Sequence, residues 1–140
     1  MKKSIIIILS VFAFVLPGIV GHAFGTQGQY KDALAATAEH PDASGTLVIT
    51  DTSIAIEAKG LKSNSVYTAW FVNTKPRKHE AGAGEPPYMF KTDAEGNGAY
   101  SSNLNASPLG RWQMVMVVLH PTGDPKDMKH MVGALSASLP

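Results

Sequence analysis

The stretch SIAIEAK, residues 53–59, puts Ile54, Ile56 and Ala58 on one side of an extended chain and Glu57 and Lys59 on the other. Residues two apart share a face only in a strand, so this alternation predicts a β-strand with one buried and one wet face. The same grain runs through most of the chain. GTLVIT (45–50), VYTAWFVN (66–73), YMFKT (88–92), AYSSNL (99–104), RWQMVMVVL (111–119) and GALSASL (133–139) are short runs rich in β-branched, aromatic or alternating residues. VYTAWFVN is apolar on both sides and is expected in the middle of a sheet. Between the runs lie Asp51-Thr52, the loop 60–65, DAEGNG (93–98) and NASPLG (105–110), all rich in residues that tolerate turn geometry. Seven short strands with turns between most of them predict an all-β fold over 45–140. The expected form is an antiparallel β-sandwich of immunoglobulin-like size, with a small barrel as the competing closure.

The N-terminal part is of another kind. Lys2 and Lys3 precede a nearly unbroken apolar run from Ile5 to Leu16, and Gly21-His22-Ala23 supplies small residues where a signal peptidase cuts. Residues 1–23 are therefore expected to be a secretory signal peptide, because the apolar run is short for a bilayer span of about 20 residues. Without Lys2 and Lys3 the twelve basic residues fall to ten against eleven acidic ones, a net charge near −1. No basic stripe is visible, which argues against nucleic acid as a partner. Residues 24–44 form a polar N-terminal segment in which Tyr30–Glu39 (YKDALAATAE) is alanine-rich and predicts a short helix, stopped at His40-Pro41. The chain contains no cysteine. That removes disulfides, thiolate metal sites and lipid attachment, and leaves packing to hold an exported domain together.

Gly60-Leu61, then Tyr67, Ala69, Trp70 and Val72, followed by Phe90, Thr92, Asp93, Gly96 and Gly98, form a pattern that resembles the C-terminal domain of anti-sigma factors. The resemblance covers roughly residues 45–103. It implies a small extracytoplasmic β-sandwich. The sigma-binding helices and the transmembrane span of that family have no counterpart here, so the resemblance implies fold and location and does not carry over sigma regulation.

No nucleophile elbow, H-E-x-x-H, P-loop or dinucleotide motif occurs, so catalytic residues are assigned to none. Two stretches carry chemistry. The loop TKPRKHEAGAGEPP (74–87) clusters Lys75, Arg77 and Lys78 beside His79. It is either a recognition loop for an anionic group or a protein partner, or a solvated connection. LHPTGDPKDMKHM (119–131) holds two histidines and two methionines. Asp124, Pro125 and Asp127 have the order of an N-cap, a first helical residue and a capping-box acid, which predicts a helical turn over 125–131 plugging one end of the fold. The alternative is copper, since imidazole and thioether are the soft ligands left when thiolates are absent. The candidate ligands are His120, Met128, His130 and Met131, with His40 expected at the same end if successive connections alternate ends. On that count His79 and Met89 belong to the opposite end. Trp112, Met114, Met116, Val118 and His120 share one side of their strand; exposed, that stripe would mark a partner surface.

These observations predict a secreted or periplasmic, non-enzymatic binding or interaction module with a protein or cell-envelope partner. It acts through loops 74–87 and 120–132 and is not an integral membrane protein once the signal is cleaved. A copper-binding protein is the first alternative and a hydrolase with a spatially assembled site the second.

Overall fold

The computed structural model describes residues 29–140; the signal peptide expected over 1–23 lies outside the described residues. Nine antiparallel strands build one curled sheet: β1 Tyr30–Ala36, β2 Ser44–Ile49, β3 Ser53–Lys59, β4 Val66–Asn73, β5 His79–Gly82, β6 Met89–Lys91, β7 Gly98–Asn103, β8 Met114–His120 and β9 Val132–Ser138. Their order is β5-β4-β8-β9-β1-β2-β3-β7, with β6 also paired to β4. All seven strands expected from alternation are present, and the class is all-β and antiparallel. Among the described residues no helix is long and apolar enough to cross a membrane.

Two expectations are corrected. The predicted helix over Tyr30–Glu39 is strand β1, which sits inside the sheet. Tyr30–Leu34 pairs with β2, and Ala35–Ala36 pairs with β9 on the other side. Alanine favours a helix by only a fraction of a kcal/mol per residue, and a ten-residue helix is marginal alone. A strand here meets ladder partners on both flanks and buries Leu34. The second correction lies in loop 74–87, where His79–Gly82 forms β5 against Trp70–Asn73.

β1 is also where the curl is made, because it passes from the β2-β3-β7 half of the sheet to the half containing β9, β8 and β4. The two halves turn their inner faces onto one core. Leu47, Ile49, Ile54 and Ile56 meet Tyr67, Ala69, Phe71, Val115, Val117 and Leu135 in a single cluster. Each of these strands contributes alternate residues to the core, so the others point outward. From β4 the outward residues are Val66, Thr68, Trp70 and Val72. From β8 they are Met114, Met116, Val118 and His120, directly across the ladder from those four.

The connections gather at two ends, as the alternation of chain direction predicts. At one end the amide N–H of Leu61 donates to the carbonyl of Gly96 and that of Asn64 to Asp93. The hydroxyl of Tyr67 there meets His40 Nε2 at 3.0 Å and accepts the N–H of Lys62 at 2.9 Å. At the other end Gln113 clamps the start of loop 74–87. Its Oε1 accepts the N–H groups of Thr74 and Lys75, and its Nε2 donates to the carbonyl of Lys75.

Candidate functional site

Thr68 is the one polar side chain among the outward residues of β4, and it is completely buried. A buried hydroxyl needs partners, and it has two. Trp70 Nε1–H donates to Thr68 Oγ1 at 2.7 Å, and Thr68 Oγ1 lies 2.7 Å from His120 Nε2. The second ring nitrogen of His120, Nδ1, lies 3.2 Å from the carbonyl oxygen of Asp127. A carbonyl only accepts, so Nδ1 carries the proton, Nε2 accepts from the Thr68 hydroxyl, and every group is satisfied. The resulting chain runs from Trp70 through Thr68 and His120 to the backbone of the 121–131 connection. His120 is 1% exposed, and both of its ring nitrogens are occupied.

Asp127 organises that connection. Its Oδ2 accepts from Thr122 Oγ1 at 3.0 Å and from His130 Nδ1 at 2.8 Å, and its Oδ1 accepts the N–H of Lys129 at 3.1 Å. The hydrogen bond from His130 is the main reason its carboxyl is held below the usual carboxylate range. The predicted helical turn does not form. The N–H of Asp127 closes a single turn onto the carbonyl of Asp124, and Asp124 Oδ1 takes the N–H of Lys126. Side-chain bonds to nearby backbone compete with helix. Here Asp127 reaches forward to Lys129 and His130 rather than back to Asp124, and its own carbonyl is committed to His120.

The predicted metal ligands are therefore separated by role. His120 is a buried structural link. His40 uses Nε2 on Tyr67 and leaves Nδ1 buried with no partner among the described residues. His130 is largely exposed, its side chain 64% accessible. Met128 is the exposed large apolar side chain of the described residues, at 45%, and Met131 is half-buried. Among the described residues no group of three or more His, Asp or Glu side chains is placed to hold a metal ion.

The basic cluster of loop 74–87 is exposed and unevenly free. Lys78 pairs with Glu80 at 3.0 Å, and His79 is tilted against Trp112 with ring centroids 5.2 Å apart. Lys75 and Arg77 face solvent. His79 is at the far end, as expected. Met89 is not: it lies directly across the ladder from Thr68, beside the His120 network, because β5 takes up the distal part of the 74–87 connection.

The outward face of β4 and β8 is the part of the molecule that sequence reasoning underestimated. Trp70, Met114 and Met116 are each half-buried on it. Tyr88 joins them, its ring 5.4 Å from that of Trp70 and lying over Gly82, where a side chain would occupy the same space. Tyr88 takes this position with φ at 64°, a conformation that bulky residues rarely adopt. The signal that could have found the network was Thr68 itself, a lone hydroxyl in a strand apolar on both sides. No family model matches the chain, and no curated protein or solved structure is similar enough to it to count as a match.

Proposed function

We propose that this chain is an exported, non-enzymatic binding module, a β-sandwich of immunoglobulin-like size whose binding surface is the outward face of β4 and β8. In this reading loops 74–87 and 120–132 border that face at its two ends, and the partner is a protein or another component of the cell envelope. The observation that carries the reading is the composition of the face. Trp70, Met114 and Met116 stand partly in solvent on adjacent strands, and Tyr88, equally half-buried, lies against Trp70. Tryptophan, tyrosine and methionine are the residues enriched where protein surfaces meet. Backbone strain such as that of Tyr88 is kept where the surroundings hold it for a purpose.

The hydrolase alternative finds less support. Thr68 and His120 have the spacing of a nucleophile and its base. However, Thr68 is fully buried and its oxygen already accepts from Trp70, which leaves a substrate carbonyl no approach.

A photo-crosslinking residue placed at Met116 tests the binding reading in cells that export the protein, with the same residue at Glu57 on the opposite half as control. A discrete adduct from position 116 alone is expected. No adduct, or the same adducts from both positions, overturns the assignment of the face.

A further inference from the structure

The 127–131 turn holds a histidine with one ring nitrogen fixed by a carboxylate and the other without a hydrogen-bond partner among the described residues. Asp127 is a carboxylate and can only accept, so His130 Nδ1 carries a proton that it donates to Oδ2 at 2.8 Å. In the neutral ring the lone pair is then on Nε2, which makes no hydrogen bond among the described residues, on a side chain 64% exposed. A carboxylate on the distal nitrogen is the arrangement that fixes tautomer and orientation in histidines that bind metals. Two positions before it stands Met128, the large apolar side chain that this fold leaves in solvent, and Met131 follows directly. Asp127 is fixed in turn from Thr122 and Lys129, and its backbone is tied through His120 to Thr68 and Trp70. The turn is thus anchored to the sheet while its two soft donor types face outward.

We infer that this turn is a Cu(I)-binding site, with His130 Nε2 and the Met128 thioether as ligands, Met131 available as a third, and Asp127 as the positioning residue. Thioether and imidazole suit a soft monovalent ion, and among the described residues no group of three or more His, Asp or Glu side chains is placed together as Zn(II) or a harder cation would favour. His120 and His40 are not ligands, since His120 spends both nitrogens and His40 is turned to Tyr67 at the neighbouring connection. The site lies in the connection that borders the proposed binding face but uses none of the residues that form it, so either reading survives the loss of the other.

The test is anaerobic titration of the purified protein with Cu(I) in competition with a chromophoric Cu(I) chelator, and in parallel with Zn(II). One equivalent of Cu(I) per chain is expected, held more tightly than Zn(II), with sulfur and nitrogen scatterers in X-ray absorption. His130→Ala removes it, and Met128→Leu weakens it by at least about ten-fold. Asp127→Asn keeps the stoichiometry and weakens binding by about ten-fold or more, as loss of an outer-shell partner does. Circular dichroism verifies that each variant is folded; His130 and Met128 are exposed, so no loss is expected. His79→Ala leaves the affinity unchanged. Equal affinity in His130→Ala and Met128→Leu, tighter Zn(II) than Cu(I), or no binding beyond that of the His130→Ala chain overturns the inference.

Discussion

The two halves of the curled sheet present opposite outer faces. On β2, β3 and β7 the outward residues include Thr46, Ala55, Glu57, Lys59, Ser101 and Asn103, all exposed. On β4 and β8 they are Val66, Thr68, Trp70 and Val72 opposite His120, Val118, Met116 and Met114, all buried or half-buried. Both halves contribute to the same core. The difference therefore does not come from what the fold needs inside. One half uses its outer face for solubility, and the other carries a second, shallow apolar layer over a hydrogen-bonded relay. A half that needed only to be wet would not keep a histidine and a threonine sealed beneath its surface.

The comparison can be broken most directly at His120. His120→Ala removes the link between sheet and connection, leaving the Thr68 hydroxyl and the Asp127 carbonyl without their partner. A loss of about 3 kcal/mol is expected from urea denaturation. If the loss is no larger than that of an exposed residue on β3, the relay is not structural. Thr68→Val keeps the shape but strands Trp70 Nε1–H and His120 Nε2, at a cost of about 2 kcal/mol, and it should shift the Trp70 emission. Gly82→Ala forces the Tyr88 ring off the strand and costs about 1–2 kcal/mol. Gly133→Ala sharpens the point on the same half. There the nearest atoms, Met116 Cε and Thr37 Cγ2, stay 3.5 and 3.6 Å away, so stability should change by less than about 0.5 kcal/mol. Glu57→Gln on the wet half should be equally mild, within about 0.5 kcal/mol.

The inner faces should not differ. Burial is the largest cause that raises both the Tyr67 phenol of one half and the Tyr100 phenol of the other above the ordinary value of 10.0. A phenol kept neutral by the fold stabilises it fully below the unfolded value. That contribution is lost as pH rises from there through the raised folded value. Tyrosinate absorbance should therefore lag behind that of a free phenol, then appear together with unfolding on the alkaline side. Tyrosinate appearing at the ordinary pH in a folded protein would show that these phenols are open to solvent.

Much of this was legible in the residue pattern. Alternation located the strands from Gly45 onward, and counting chain reversals placed His40, His120 and His130 at one end and His79 at the other. The failures have a common cause. Tyr30–Glu39 has helix-favouring composition, and only ladder partners outside the segment, on β2 from Gly45 to Ile49 and on β9 at Leu135 and Ser136, make it a strand. The Asp124-Pro125-Asp127 order suits a helix start, but the third residue found better acceptor work with Thr122, Lys129 and His130. β5 is four residues long and carries no clear alternation, so nothing local distinguished it from loop.

The sequence by itself determined the class, because period-two alternation and turn chemistry are local and a strand's faces follow from parity. It also determined which chemistry was available: no thiolate, and histidine with methionine concentrated near residue 130. Which histidine is a link and which is open was decided only by the tertiary structure. His120 and His130 are ten residues apart and look alike in the chain. One is sealed between Thr68 and a backbone carbonyl, while the other is exposed, with one nitrogen held by Asp127 and the other without a hydrogen bond among the described residues. That assignment depends on hydrogen-bond partners brought from β4, fifty-two residues away in sequence, and no local pattern encodes a partner at that distance.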